Sequence, residues 1–288
     1  MRVLIIGGTG FIGPWVVRQF CSAGHELTVY HRGQSESGLP AQVRHLRSPD
    51  AGVPVTRFPN ELATWKPDAV VHMMAMGGTD SRALVEFWGG RAHIVVPSSG
   101  DVYRAYGRFS GTEPGPPEPL PLTENSPLRE ILYPYRAKAK SNSDLTYWYE
   151  KVLVERNILA AGGTVLRLPK VYGPGPHPSS NADLATFYGF AHQPNWRWTH
   201  GYVENVAAAI VLATLDKNSA GRVYNVGEEE TPTMEERLRD LPPPNRHYDR
   251  PAGFFFGQSL VYDTSRIRAE LGYRAPVSYH EGIKRTLS

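Results

Sequence analysis

Cysteine is almost missing from this chain: Cys21 is the only one in 288 residues. A single thiol excludes an intramolecular disulfide and every metal site that needs several cysteines. Packing on a helix is the reading left for it. Long apolar runs are absent too, and none approaches the roughly 18 residues of a membrane span. The apolar N-terminus is cut by glycines within a few residues and lacks the length and cleavage pattern of a secretory signal. Neither sign of charge dominates. The net charge of +3 suits a small anionic ligand, whereas nucleic-acid binding needs a basic stripe that Arg44, His45 and Arg47 alone do not make. These absences predict a cytoplasmic protein with a small-molecule substrate and with no nucleic-acid, membrane or metal partner. With 41% hydrophobic residues, the chain has ample material for one large domain or two intimate ones.

What is present begins at once. Val3, Leu4, Ile5 and Ile6 form a short apolar run of the kind found in a parallel strand buried on both faces. It leads into Gly7-Gly8-Thr9-Gly10-Phe11-Ile12-Gly13. Glycines at 7, 10 and 13 suit a tight turn, a close approach of backbone N–H groups to a pyrophosphate, and close packing of helix on strand. A helix N-terminus adds partial positive charge where the anion would sit. Pro14 suits the first helical turn, and Gly24 suits its end. A second strand at 27–30 completes the strand–turn–helix–strand frame of a dinucleotide fingerprint.

Further strand-like runs at 69–71, 94–96 and 165–168, with helical patterns at 80–88 and 145–160 between them, predict βαβ units and a parallel α/β sheet. Residues 111–127 and 169–178, rich in proline and glycine, predict long loops. Beyond residue 170 the pattern thins to a helix at 203–215, a strand at 222–226 and a short helix at 266–271. The expected organisation is a nucleotide-binding part at 1–168, with 203–227 returning to it, and a smaller substrate-binding region at 169–288.

A nucleotide fold names no reaction. The segment Tyr147-Trp148-Tyr149-Glu150-Lys151 says more. On one continuous helix, Tyr147 and Lys151 share a face with Cβ atoms about 6 Å apart. An ammonium there favours the phenolate and makes the tyrosine an acid or base nearer neutral pH. Tyr149, two residues from Lys151, points away in that geometry and reads as packing or a substrate contact. Ser98 and Ser99 follow the strand at 94–96, at the sheet edge where ligands of parallel sheets bind.

In these motifs the chain resembles the extended short-chain dehydrogenase/reductases, and within them the NAD-dependent epimerase/dehydratase family. The motifs are Gly7-x-x-Gly10-x-x-Gly13, Ser99 ahead of Val102-Tyr103, and Tyr147-x-x-x-Lys151. Later stretches matching the family are 166–175, 221–227 and 263–273. The resemblance implies a Rossmann-type doubly wound sheet with a smaller, interleaved C-terminal substrate domain. It implies Tyr147 as acid/base, Lys151 as holder of the nicotinamide ribose, and Ser99 as the group that polarises the substrate oxygen. Cofactor contacts are implied at Gly7, Thr9, Gly10, Phe11, Ile12, Gly13, His31, Arg32, His72, Tyr147, Lys151 and Pro169, with packing an equal reading for His72. Substrate contacts are implied at Asp101, Tyr103, Lys170 and Tyr202, with packing also open for Tyr103. A homodimer through the helix at 145–160 is a family habit.

Departures from the family narrow the expectations. NAD-preferring relatives end the second strand with an acidic residue that accepts from the adenosine ribose. Here His31 and Arg32 stand there, and a guanidinium suits a 2′-phosphate, so NADP is favoured over NAD. The interval between Ser99 and Tyr147 is longer than in sugar-nucleotide epimerases and contains the proline-rich loop, a candidate roof, followed by the basic stretch 135–140. Lys170 replaces an asparagine that helps relatives hold a sugar nucleotide, and suits a phosphate or carboxylate instead. The aromatic stretch 196–202 either lines a pocket or fills the interior. The expected activity is hydride transfer at a secondary alcohol or carbonyl. Epimerisation or dehydration with retained NAD is the alternative, and a non-catalytic dinucleotide-binding regulator is the rival from another class.

Overall fold

The computed structural model describes residues 1–35, 38–174, 187–244 and 247–287. Its main sheet has seven strands in the order β3-β2-β1-β4-β5-β6-β9. These are β1 (Arg2–Ile6), β2 (Glu26–His31), β3 (Arg44–Arg47), β4 (Ala69–His72), β5 (His93–Ser99), β6 (Thr164–Leu168) and β9 (Val223–Asn225). The pairs β1–β2, β1–β4, β2–β3 and β4–β5 are all parallel. The apolar runs are continuous because these strands are covered on both faces: Val3, Leu4, Ile5, Ile6 and Val70 and Val71 are all fully buried. Strand order reverses between β1 and β4, and ligands of open α/β sheets bind beyond the carboxyl ends of strands at such a switch point.

Helices α1 (Gly13–Ser22), α2 (Asn60–Trp65), α3 (Gly78–Trp88), α4 (Arg104–Ser110), α5 (Leu145–Trp148) and α6 (Lys151–Ala160) follow in order. After them come β7 (Lys170–Tyr172), β8 (His200–Tyr202), α7 (Val203–Leu215), α8 (Met234–Arg239), α9 (Ser265–Leu271) and α10 (Tyr279–Leu287). No helix among the described residues is long and apolar enough to cross a membrane.

The chain divides into two compact units. The first comprises residues 1–99, 132–167 and 207–224, and the second 100–131, 168–206 and 225–288. Residues 100–131, expected in the nucleotide-binding part, therefore belong to the second unit. Their polar groups find partners there: Tyr103 Oη donates to Asn225 Oδ1 at 2.6 Å, and the backbone N–H of Leu122 donates to Val261 at 2.7 Å. The proline-rich loop carries no helix or strand, as expected, and its Glu118 N–H donates to Gln258 Oε1 at 2.6 Å. The loop expected at 169–178 is corrected in part, since Lys170–Tyr172 is strand β7, paired in parallel with β8. Residues 175–178 lie outside the described residues.

The second correction bears on chemistry. The single helix expected over 145–160 is two helices, α5 and α6, joined by extended backbone at Tyr149 and Glu150. Each helix has its own N-cap: Asp144 Oδ1 accepts from Thr146 N–H at 3.0 Å, and Glu150 Oε1 from Val152 N–H at 3.0 Å. The junction is stitched to distant chain. Glu150 N–H donates to the Met76 carbonyl at 2.6 Å, and the Glu150 carboxylate accepts from Tyr133 N–H. A Cβ on Gly77 would collide with the Trp148 carbonyl, so only glycine admits this approach.

Candidate active site

The first unit assembles its site at the ends of β1, β4 and β5. Gly7 leaves β1 with φ of +78°, in the left-handed region that favours glycine, and a Cβ there would strike the Met74 side chain. At Gly13 a Cβ would fall 2.5 Å from the Gly8 carbonyl, so α1 packs on the turn only as glycine. Gly10 differs: nothing stands within 4 Å of where its Cβ would be. That opening lies at the start of α1, where Ile12 is the N-cap and makes no side-chain capping bond. Thr9 Oγ1 lies 3.0 Å from Ser35 Oγ, and the Ile12 carbonyl takes the Trp15 and Val16 N–H groups. Phe11 is partly exposed on the same turn. An open backbone loop at a helix N-terminus is what a pyrophosphate requires.

At the end of β2, His31 is buried. Its Nδ1 accepts from Gly33 N–H at 3.2 Å, which places the proton of the neutral ring on Nε2, and Nε2 lies 3.0 Å from His45 Nδ1. His45 sits on β3, so the edge strand that looked basic in sequence serves to hold His31. Arg32 is exposed, its stem alongside Gly52.

His72 ends β4 fully buried, and burial, reinforced by the Lys151 charge, pushes its pKa down to about 3. Nδ1 accepts from Met74 N–H at 3.2 Å, while Nε2 has no partner. The neutral ring therefore carries an unspent N–H at the switch point, and a buried donor left unmade is costly. That orphan and the open turn at Gly10 both fit a dinucleotide lying across the ends of β1 and β4.

Lys151 opens α6. Its Nζ donates to the Ala75 carbonyl at 2.6 Å and the Pro97 carbonyl at 3.2 Å, so the ammonium is held just past β4 and near the end of β5. Helix α6 is locked on α3 by Asn157, whose Nδ2 donates to Ser81 Oγ at 2.9 Å. Beside Ser99, partly buried, Ser98 Oγ donates to Glu155 Oε1 at 2.6 Å. Glu155 also receives Arg167, with Nη2 2.8 Å from Oε2. This triad was missed in sequence, though Glu155 stands one helical turn after Lys151 and its fit to that face was the available signal.

Tyr147 does not share a helix with Lys151. Its ring lies 5.3 Å from that of Trp148 and 4.7 Å from the Arg136 guanidinium, and its carbonyl accepts from Arg136 Nε at 3.0 Å. The ring that approaches Lys151 is that of Tyr149, 5.9 Å from Nζ, which corrects the expectation that Tyr149 points away.

In the second unit, Tyr103 is fully buried with its hydroxyl given to Asn225, which favours packing over substrate contact. The Asp101 carbonyl accepts from Arg129 Nε at 3.2 Å. Lys170 begins β7, Pro169 packs against Gly201, and Tyr202 is buried with its ring 5.7 Å from that of Tyr172. The aromatic stretch fills the interior of this unit: Trp196 is buried and stacked on Phe109 at 4.9 Å.

The family model for the NAD dependent epimerase/dehydratase family matches residues 3–227. A 2'-dehydrokanamycin reductase of Streptomyces kanamyceticus is 32% identical over 185 residues, which are 60% of this chain and 43% of the reductase. The match thus spans less than half the length of that relative. A dTDP-glucose 4,6-dehydratase of Haemophilus influenzae is 24% identical over 100% of this chain and 97% of its own. Among solved structures, the UDP-glucose 4-epimerase of Thermus thermophilus in complex with NAD superposes with a TM-score of 0.71 at 22% identity, covering 100% of this chain and 98% of that one. With its switch-point glycines and Lys151 placed at the strand ends, the chain belongs to the NAD-dependent epimerase/dehydratase family.

Proposed function

We propose that the chain is an oxidoreductase of the extended short-chain type that interconverts a secondary alcohol and a carbonyl, with Tyr147 as acid/base. The observation that carries this reading is the Lys151 ammonium, buried and held by the Ala75 and Pro97 carbonyls beside Ser99. When bound, the nicotinamide supplies or takes the hydride. The protein's own part is positional. Lys151, held just past β4 and near the end of β5, would hold the nicotinamide ribose. Tyr147 Oη then gives or takes the proton at the substrate oxygen, and Ser99 Oγ donates a hydrogen bond to that oxygen. His72 stays neutral, so it presents an N–H without adding charge. Glu155 holds Ser98 and with it the end of β5.

The dehydratase and the epimerase are named for nucleotide-linked glucose and the reductase for a dehydrokanamycin, which supports a sugar-like substrate for this chain. Mass spectrometry of the nucleotide released on denaturation separates the two modes of action. Empty protein supports an exchanging reductase or dehydrogenase, and stoichiometric NAD supports an epimerase or dehydratase that recycles its hydride.

Tyr149 is the second reading for the acid/base, on the strength of its 5.9 Å approach to Lys151. Tyr147→Phe is expected to lower turnover by about 10²–10⁴-fold with cofactor affinity unchanged. Loss in Tyr149→Phe alone would transfer the role. We further propose a preference for NADP, because Arg32 stands where an acidic residue would bind the ribose of NAD. Arg32→Ala should weaken NADPH binding about tenfold or more and NADH binding little, and equal losses would remove the preference.

A further inference from the structure

Residues 132–149 belong to the first unit and lead into Lys151, and the basic stretch at 135–140 lies among them. Tyr133 has φ of +56°, a left-handed conformation that a bulky residue adopts only where its surroundings impose it. What imposes it is Glu150, fully buried, whose carboxylate accepts from the Tyr133 N–H. The Tyr133 carbonyl accepts in turn from the Arg136 N–H at 3.1 Å. The Arg136 guanidinium then lies over two rings, 3.5 Å from the centre of Tyr133 and 4.7 Å from that of Tyr147. Its Nε donates to the Tyr147 carbonyl at 3.0 Å. A long side chain is thus fixed beside the phenol.

Most of what this guanidinium can do is left unspent. Arg136 is half-buried, and its Nη1 and Nη2 take no hydrogen-bond partner among the described residues. Its charge is unmet too: among those residues neither Arg136 nor the exposed Lys138 and Lys140 forms an ion pair, whereas Arg167 has Glu155. The nearby carboxylates serve elsewhere, Asp144 as the cap of α5 and Glu150 as the cap of α6. A neutral donor would tie down the Tyr147 carbonyl equally well, so the charge answers a different need. A planar fork held in place with its outer edge unpaired suits a carboxylate or phosphate, met by two parallel bonds. We propose that Arg136 selects the substrate by pairing with a carboxylate or phosphate group carried close to the reacting carbon. The closeness follows from the ring contact, because an anion on Arg136 lies only a few bonds from an oxygen held at Tyr147 Oη. The inference rests on the reading of Tyr147 as the acid/base.

The test is ligand-observed NMR titration of the full chain, with NAD and NADP in excess so that the open turn at Gly10 is filled. D-glucuronate is compared with D-glucose, lactate with lactamide, and inorganic phosphate serves as the phosphate probe. Binding of at least one anion, tighter than its neutral counterpart where it has one, is expected. Its affinity should fall about tenfold in Arg136→Gln and stay unchanged in Lys138→Gln. Should Arg136→Gln fail to fold, Arg136→Lys, which keeps the charge and loses the fork, takes its place. Binding of phosphate but of neither carboxylate supports the phosphate form of the proposal, and the reverse supports the carboxylate form. No anion binding, or equal affinity in the Arg136 variant, overturns it. The two readings fail separately: anion binding that survives in Arg136→Gln removes the role of Arg136, and full turnover in Tyr147→Phe removes the acid/base.

Discussion

Each unit contains a buried arginine–glutamate pair, and the two are finished differently. Arg167 and Glu155 in the first unit use both carboxylate oxygens and draw in Ser98 as a further donor. Arg237 and Glu228 in the second share one short bond, Nη2 to Oε2 at 2.7 Å, and Glu228 remains partly exposed. The first pair closes on itself and fixes a strand end. The second is open to solvent on its glutamate side. The histidines repeat the contrast: His72 leaves an N–H open, whereas His200 donates from Nδ1 to the Trp198 carbonyl at 2.7 Å and leaves Nε2 open as an acceptor.

The sharpest way to break this contrast is to remove the two glutamates in turn. Glu155→Ala strands a buried guanidinium and is expected to cost about 3–5 kcal/mol, read as a lower denaturation midpoint. Glu228→Ala should cost less than half as much, since Glu228 is partly exposed and water can take the place of its carboxylate. Equal losses would show that the second pair is as structural as the first. Glycines give a second comparison within the turn. Gly13→Ala drives a methyl into the Gly8 carbonyl and should destabilise by about 1–3 kcal/mol. Gly10→Ala meets nothing in the protein, so its melting should stay near wild type while nucleotide affinity falls about tenfold or more.

The smallest effect is read against pH. With its folded pKa depressed to about 3 against the ordinary 6.5, His72 binds its proton more readily in the unfolded chain. Its contribution is therefore fully present above pH 6.5 and is lost as pH falls from 6.5 towards 3, by up to about 1.4 kcal/mol per pH unit. His72→Gln should flatten that limb of the stability curve. A limb as steep as wild type would assign it to other groups.

How much of this was legible depended on the range of the contacts involved. The turn at residues 7–13 could be read because each glycine answers a local need, and β1, β4 and β5 because burial on both faces makes their runs continuous. The break between α5 and α6 was hidden. The spacing of Tyr147 and Lys151 is helical, and the groups that break the helix, the Met76 carbonyl and Tyr133 N–H, are remote in sequence. Tyr103 was misweighted for the same reason, since its partner Asn225 is 122 residues away. The His31–His45 pair was legible only once β3 was known to lie beside β2.

The chain passes between its two units five times, at 99/100, 131/132, 167/168, 206/207 and 224/225. Neither unit is therefore a segment that a gene fragment can encode or a protease can release. During synthesis, β1, β2, β3, β4 and β5 have emerged from the ribosome well before β9, which supplies the sheet's last edge at Val223–Asn225. Until then the nascent sheet shows an unpaired border, the kind of exposed edge that invites association with other chains. Expression of this protein should accordingly depend on chaperone capacity more than its finished stability would suggest.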